Sequence, residues 1–157
     1  MTRLSSHQIV QASSIATATL TVETPGESFT DLTGDVRRFI AQASAADGAL
    51  FLFLRHTSAS LVIQENADPD VQKDLMTALR RLAPEDAGWI HDAEGPDDMP
   101  AHVKAMLAGV GLHIPVTKGA LALGSWQVIY LIEHRFRPHR REVVLQFIGS
   151  RAGESPK

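Results

Sequence analysis

The chain has 157 residues, 44% of them apolar and 21% charged, and a net charge of −3. That length suits one domain able to bury roughly two thirds of its unfolded surface, and the slightly acidic balance excludes a general nucleic-acid binder, which would be basic. With no cysteine in the sequence, disulfides, thiolate catalysis and thiolate-bound zinc are ruled out. The N-terminal "MTRLSSHQIVQASS" holds no apolar run fit for a secretory leader. No apolar stretch approaches the ~20 residues that cross a bilayer. The expectation is a cytoplasmic protein with neither a nucleic-acid nor a membrane partner.

In chain order, residues 7–23 read as one or two strands ending in the alternating "TATLTVET". Val36, Phe39, Ile40 and Ala43 fall at helical spacing behind Thr33 as a cap, and Asp47-Gly48 closes that helix. "ALFLFLRH" is too short for a helix and apolar on both faces, which suits a strand covered on both sides. "SASLVIQEN" follows as its neighbour. Asp68-Pro69 predicts a helix start, a capping carboxylate before a proline whose missing N–H costs nothing. Val71, Leu75, Leu79 and Leu82 make that helix's buried stripe, and Pro84 stops it. Residues 84–99 form a polar loop long enough to suggest function. A short helix from Pro100 to about Leu107 ends at Gly109, and "GLHIPVTKGALALGSWQVIYLIEH" makes a hairpin turning at Lys118-Gly119. In its second arm Trp126, Val128, Tyr130 and Ile132 share one face, and Gln127, Ile129, Leu131 and Glu133 the other. "RREVVLQFIG" is the last strand. These elements predict an α+β fold, a compact, strand-rich, mixed or antiparallel sheet with two or three short helices. One domain covers residues 1–150, and 151–157 form a flexible tail.

Two buried-looking strands end in ionisable groups, His56 after the first and Glu133, His134 and Arg135 after the other. Seven histidines in a chain without cysteine are its natural metal ligands. His7 and His113 occupy ordinary strand positions and read as structural. His56 ends a strand, His91 lies in the polar loop and His102 opens a helix. They are either satisfied structural histidines or a three-imidazole site with one open position; their spacing matches no local metal motif. Asp97 and Asp98 serve either the helix start or the outer shell of a metal-bound His102. Asp68 has a capping role that does not explain Glu65, Asn66 and Asp70 crowding beside it. The basic cluster "EHRFRPHRR" is either a solvated turn or a clamp for phosphate or carboxylate. Neither a glycine-rich phosphate cradle nor a Gly-x-Ser-x-Gly elbow occurs.

The strings "HTSASLVIQENADPDV", "WIHD", "AHVKAMLAG", "LALGSWQVIYLIEHR" and "PHRREVVLQFIG" closely resemble the YjbQ family, also called the secondary thiamine-phosphate synthase family. The match runs from about Ala49 to Gly149, with Val62 and Ser125 standing where the family often has threonine. The resemblance implies a homotrimer with polar sites near subunit interfaces. It implies a site of His56, Asn66, Asp68, His91, His102, Trp126, Gln127, Glu133 and Arg140. Of these, His56, His91 and His102 would hold a divalent metal, zinc or magnesium, and Glu133 would be the general acid or base beside Asn66, Asp68 and Arg140. Lys104, Arg135 and Arg140 would hold a phosphorylated small molecule, with Gln127 and the ring face of Trp126 against it. The implied activity joins a pyrimidine pyrophosphate to a thiazole phosphate. The rivals are a metal-assisted hydrolase and a non-catalytic trimeric metal- or ligand-binding module.

Overall fold

The computed structural model describes residues 8–153; His7 lies outside them, as does most of the expected tail. Alternating sequence becomes two antiparallel sheets. The larger has the order β1 (Ser14–Thr24), β8 (His139–Arg151), β3 (Ala45–Leu54), β5 (Gly111–Thr117) and β6 (Ala120–Leu121). The smaller has β2 (Ser28–Asp31), β7 (Gln127–Glu133) and β4 (Ala59–Glu65). The inner faces meet in one apolar core in which Leu50, Leu52, Leu61, Ile129, Leu131, Leu145 and Phe147 are buried. Helix α1 (Thr33–Gln42) adds Val36, Phe39 and Ile40 to it. Helix α2 (Pro69–Leu82) lies over the outer face of the smaller sheet, where Gln72 donates to the Tyr130 hydroxyl, and α3 (Asp98–Ala108) packs on β4. The α+β expectation holds.

Several elements depart from the pattern for identifiable reasons. Thr33 is the first helical residue rather than the cap. The Asp31 carboxylate accepts from its N–H, and its own hydroxyl accepts from Ile129 N–H on β7. The helix ends at Ala43-Ser44, with Ser44 at φ 51°, so Asp47-Gly48 falls inside β3 at a bulge. There Gly48 faces Gly149, and a Cβ on Gly48 would sit 2.2 Å from the Ile148 carbonyl oxygen. Only glycine allows that approach.

β3 is not covered on both sides. It buries Leu50, Leu52 and Leu54, but leaves Phe53 55% exposed. The strand buried on both faces is β7, central in the smaller sheet. β4 follows β3 in sequence yet pairs with β7, so the chain crosses between sheets at residues 55–58. The turn at Lys118-Gly119 forms, with both residues at positive φ, but it joins only β5 to the two-residue β6. β7 then leaves for the other sheet. Of the expected stripe of α2, Val71, Leu75 and Leu79 are half-buried and Leu82 is exposed, while the helix's one buried residue is Met76, outside that stripe. α3 starts at Asp98, two residues before the expected proline, and stops at Gly109 with φ 89°.

Candidate metal centre and the polar network behind it

Where β7 and β8 run out of apolar residues they enclose charge. Glu133 is fully buried and saturated. Its carboxylate accepts from Arg141 Nε and Nη2 at 2.7 and 2.6 Å, from the Thr24 hydroxyl at 2.8 Å and from Arg135 N–H at 3.0 Å. Burial pushes its pKa up, but the hydrogen bonds from Arg141, Arg135 and Thr24 and the Arg141 charge outweigh that and hold it below the ordinary value. Arg141 also donates to the Ser58 hydroxyl. The expected general acid or base is thus a fixed anion without a free lone pair towards any open space. Buried Lys104 is likewise committed, its Nζ 3.0 Å from Glu27, which also pairs with Arg80.

His134 is fully enclosed beside this pair. One ring nitrogen, Nε2, lies 2.8 Å from the Ser60 hydroxyl, while Nδ1 has no partner among the described residues. Burial, then the charge of Lys104, lowers its pKa from the usual 6.5 to about 4. The imidazole is therefore neutral in the fold, and the unfolded chain takes up a proton first as pH falls. The stability gained by keeping it neutral is complete above about pH 6.5 and disappears as pH approaches 4, a total of about 3 kcal/mol. Urea melts of the wild type and of His134→Gln should diverge across that window, with the variant showing the shallower loss. Equal slopes would remove His134 as the cause.

The candidate metal centre lies on the open side of this network. The ligand atoms of His91, Asp98 and His102 all lie within 4.8 Å of one another. His91 Nε2 is 2.8 Å and His102 Nε2 3.5 Å from the same Asp98 oxygen, Oδ2. Asp98 and His102 are one turn apart on α3, which puts both side chains on one face. His102 Nδ1 sits 3.0 Å from the Thr57 carbonyl oxygen. A carbonyl only accepts, so Nδ1 carries the proton and the Nε2 lone pair points at Asp98. The other Asp98 oxygen, Oδ1, takes a short ion pair from Arg135, whose Nε also holds Asp97 at 3.0 Å and whose Nη2 donates to the Glu94 carbonyl. Asp97 accepts from Phe136 N–H as well. Burial raises the Asp97 pKa, and these donors more than reverse that. Two imidazoles and one carboxylate, with His102 oriented by Thr57 and Asp98 by Arg135, are a donor set that suits a divalent transition metal with positions left open.

The expected site residues therefore divide. His91 and His102 come together. His56 does not join them, because its Nε2 accepts from Glu142 N–H at 2.9 Å. Burial and Arg141 lower its pKa, so it stays a neutral acceptor at the root of β8. Asp98, expected at the helix start or in an outer shell, stands beside both imidazoles, where a ligand would sit. Arg135, expected to hold substrate, pairs with Asp97 and Asp98. Arg140 faces solvent, 3.7 Å from Glu23. Its neighbour Arg141 occupies the buried position, and the alternation with Val143, Leu145 and Phe147 already placed Arg141 on the inner face.

Asn66, Asp68, Trp126 and Gln127 stand at the opposite end of the smaller sheet. β4 pairs Ala59 with Glu133 and Glu65 with Gln127, and the strand between spans about 20 Å. Asp68 caps α2 by accepting from Asp70 N–H at 2.8 Å, and Gln127 accepts from Gly124 N–H. Trp126 is 66% exposed. Asp68→Ala should therefore lower stability by about 1 kcal/mol, an N-cap's usual worth, and leave metal uptake by the isolated subunit unchanged. Thermal melts and metal titration read the two effects separately.

Beside His102 opens a groove of about 680 Å³ between the end of β3 and α3. Phe53, Leu54, Ala105, Met106 and Val110 line it, with Arg55, Thr57 and His102 at one side.

A family model described as UPF0047 protein YjbQ-like matches residues 18–150. The chain is 44% identical over 131 residues to UPF0047 protein sll1880 of Synechocystis, covering 83% of this chain and 89% of that protein. It is 38% identical over 132 residues to UPF0047 protein YjbQ of Escherichia coli O157:H7, covering 83% and 96%. Among solved structures it is similar to an uncharacterized conserved protein of the YjbQ/UPF0047 family from Clostridium acetobutylicum, with TM-score 0.77 and 34% identity over 83% of this chain and 99% of that one. The conserved hypothetical protein TT1486 from Thermus thermophilus gives TM-score 0.73 and 39% identity over 82% and 97%. The quoted strings and the sheet order thus meet in one assignment: the chain belongs to the YjbQ-like UPF0047 family.

Proposed function

We propose that this protein is a metal-dependent hydrolase of a small molecule, its ion held by His91, Asp98 and His102. The observation that carries the reading is the pair of outer contacts: Thr57 fixes the His102 tautomer, and Arg135 leaves one Asp98 oxygen for a ligand. An imidazole pair favours zinc or a neighbouring transition ion over magnesium. Such an ion supplies Lewis acidity and lowers the pKa of water at an open position. The chain's own part is to hold two donors on α3 and the third in the loop before it, to orient Asp98 through Arg135 and to shield one flank of the substrate with the groove.

The finer expectation, a secondary thiamine-phosphate synthase, requires cations around a departing pyrophosphate. Lys104 and Arg135 are committed to carboxylates and Arg140 points outward, which favours hydrolysis. The homotrimer belongs to the same proposal, with a location in the cytoplasm. A neighbouring copy would be needed to bring Asn66, Asp68, Trp126 or Gln127 near the histidines.

Zinc-loaded protein should cleave members of a panel of p-nitrophenyl carboxylic and phosphate esters. His102→Ala should lose ion and activity together and keep its fold and assembly. Pyrimidine–thiazole joining without ester cleavage would favour the synthase, and subunit dissociation in His102→Ala would favour a non-catalytic module. Undiminished metal uptake by that variant would end the proposal.

A further inference from the structure

We propose that the groove between β3 and α3 selects the substrate: an amphipathic small molecule whose apolar body lies on Phe53, Val110 and Met106 and whose anionic head reaches His102. The inference rests on the metal reading above and adds the substrate class to it. Three observations carry it. Apolar side chains stand uncovered on both walls, Phe53 of β3 55% and Met106 of α3 76% exposed, and large apolar side chains left open in this way mark a binding surface. The volume, about 680 Å³, falls in the range of small-molecule sites. The lining contains no aspartate or glutamate, and its one permanent cation, Arg55, stays exposed beside it although it pairs with Glu142 at 3.3 Å, so the rim favours an anion over a cation.

The groove is also continuous with the metal centre, because His102 belongs to both. Its wall is stiff where it meets the sheets. Leu54 N–H donates to the Val110 carbonyl and Leu61 N–H to the Gly109 carbonyl, at 2.8 and 3.0 Å. Its outer rim is adaptable, since Met106 is unbranched and free to repack around bodies of different shape. This arrangement accepts variation in the apolar body while holding the head in one place. A phosphate, a carboxylate and a hydroxamate share the required chemistry at that head.

Straight-chain hydroxamic acids from two to eight carbons, added to cobalt-loaded protein, test the idea. Affinity should rise roughly threefold per methylene and level off once the groove is filled. Met106→Ser and Phe53→Ser, both at exposed positions, should flatten that rise while the shortest hydroxamate binds as before. His102→Ala should weaken every member equally and keep the rise. Equal affinity for short and long chains would overturn the groove proposal and leave the metal reading intact. Failure of the wild type to take up cobalt would sink the metal reading alone, since the same series without metal still shows whether affinity climbs with length. If Met106→Ser instead breaks the assembly into subunits by sedimentation, the groove is an interface with a second copy and the proposal falls.

Discussion

Asp98→Asn should abolish tight zinc binding, with a loss beyond the 10- to 100-fold that removal of an outer partner brings. The carboxylate is 97% enclosed, holds both histidine donors within 3.5 Å and is ion-paired to Arg135. An amide keeps the shape but places a neutral oxygen or an NH₂ where an anionic donor is needed. Arg135→Met, which removes only the outer contact, should fall within the smaller range. Isothermal titration with zinc at constant pH measures both. The order of the two effects is the diagnostic result. If Asp98→Asn binds zinc like the wild type while Arg135→Met does not, Asp98 is a buried ion-pair partner and the ligand set is wrong. Folded controls matter, because Arg135 also ties residues 94, 97 and 98 together. Near-ultraviolet circular dichroism should show that both variants keep their tertiary packing.

The second large effect belongs to the buried pair. Glu133→Gln or Arg141→Met alone should cost about 3–5 kcal/mol in denaturant unfolding, because each leaves a desolvated partner charge without compensation. Glu133→Leu combined with Arg141→Met should recover most of that loss, since apolar replacement of a whole buried pair is often close to neutral. The contrast separates structure from catalysis. A double variant that is stable and hydrolytically active would establish Glu133 as a scaffold element. One that is stable, binds zinc and is inactive would return it to the chemistry despite its saturation.

Much of this architecture was legible in residue patterns, and the failures have physical sources. Alternation in "RREVVLQFIG", the Asp68-Pro69 start and the Gly109 stop all reflect local rules, and the corresponding elements formed. Sheet membership did not follow, because which sheet a strand joins depends on pairing partners far away in sequence. Thus β4 abandons its predecessor for β7. The site divided in the same way. The four-residue spacing of Asp98 and His102 was visible, and only the preference for histidine as a ligand pushed the aspartate into an outer role. His56 stands apart from the other two histidines for a geometric reason: a strand-end imidazole next to an antiparallel neighbour meets a backbone N–H, here that of Glu142. Asn66 and Asp68 looked close to His56 in sequence, but a seven-residue strand carries them to the far edge.

The three donors are mounted unequally, and that has a kinetic consequence. Asp98 and His102 ride on a helix, whereas His91 hangs from the irregular stretch that Arg135 clasps at Glu94. An ion held by all three would leave by losing the imidazole of the swinging arm first. Exchange rates would then track the grip on that arm, while equilibrium affinity tracked the helix pair. A clasp weakened at Glu94 alone, with the Arg135–Asp98 contact kept, would speed both capture and escape and change the final occupancy far less than loss of Arg135.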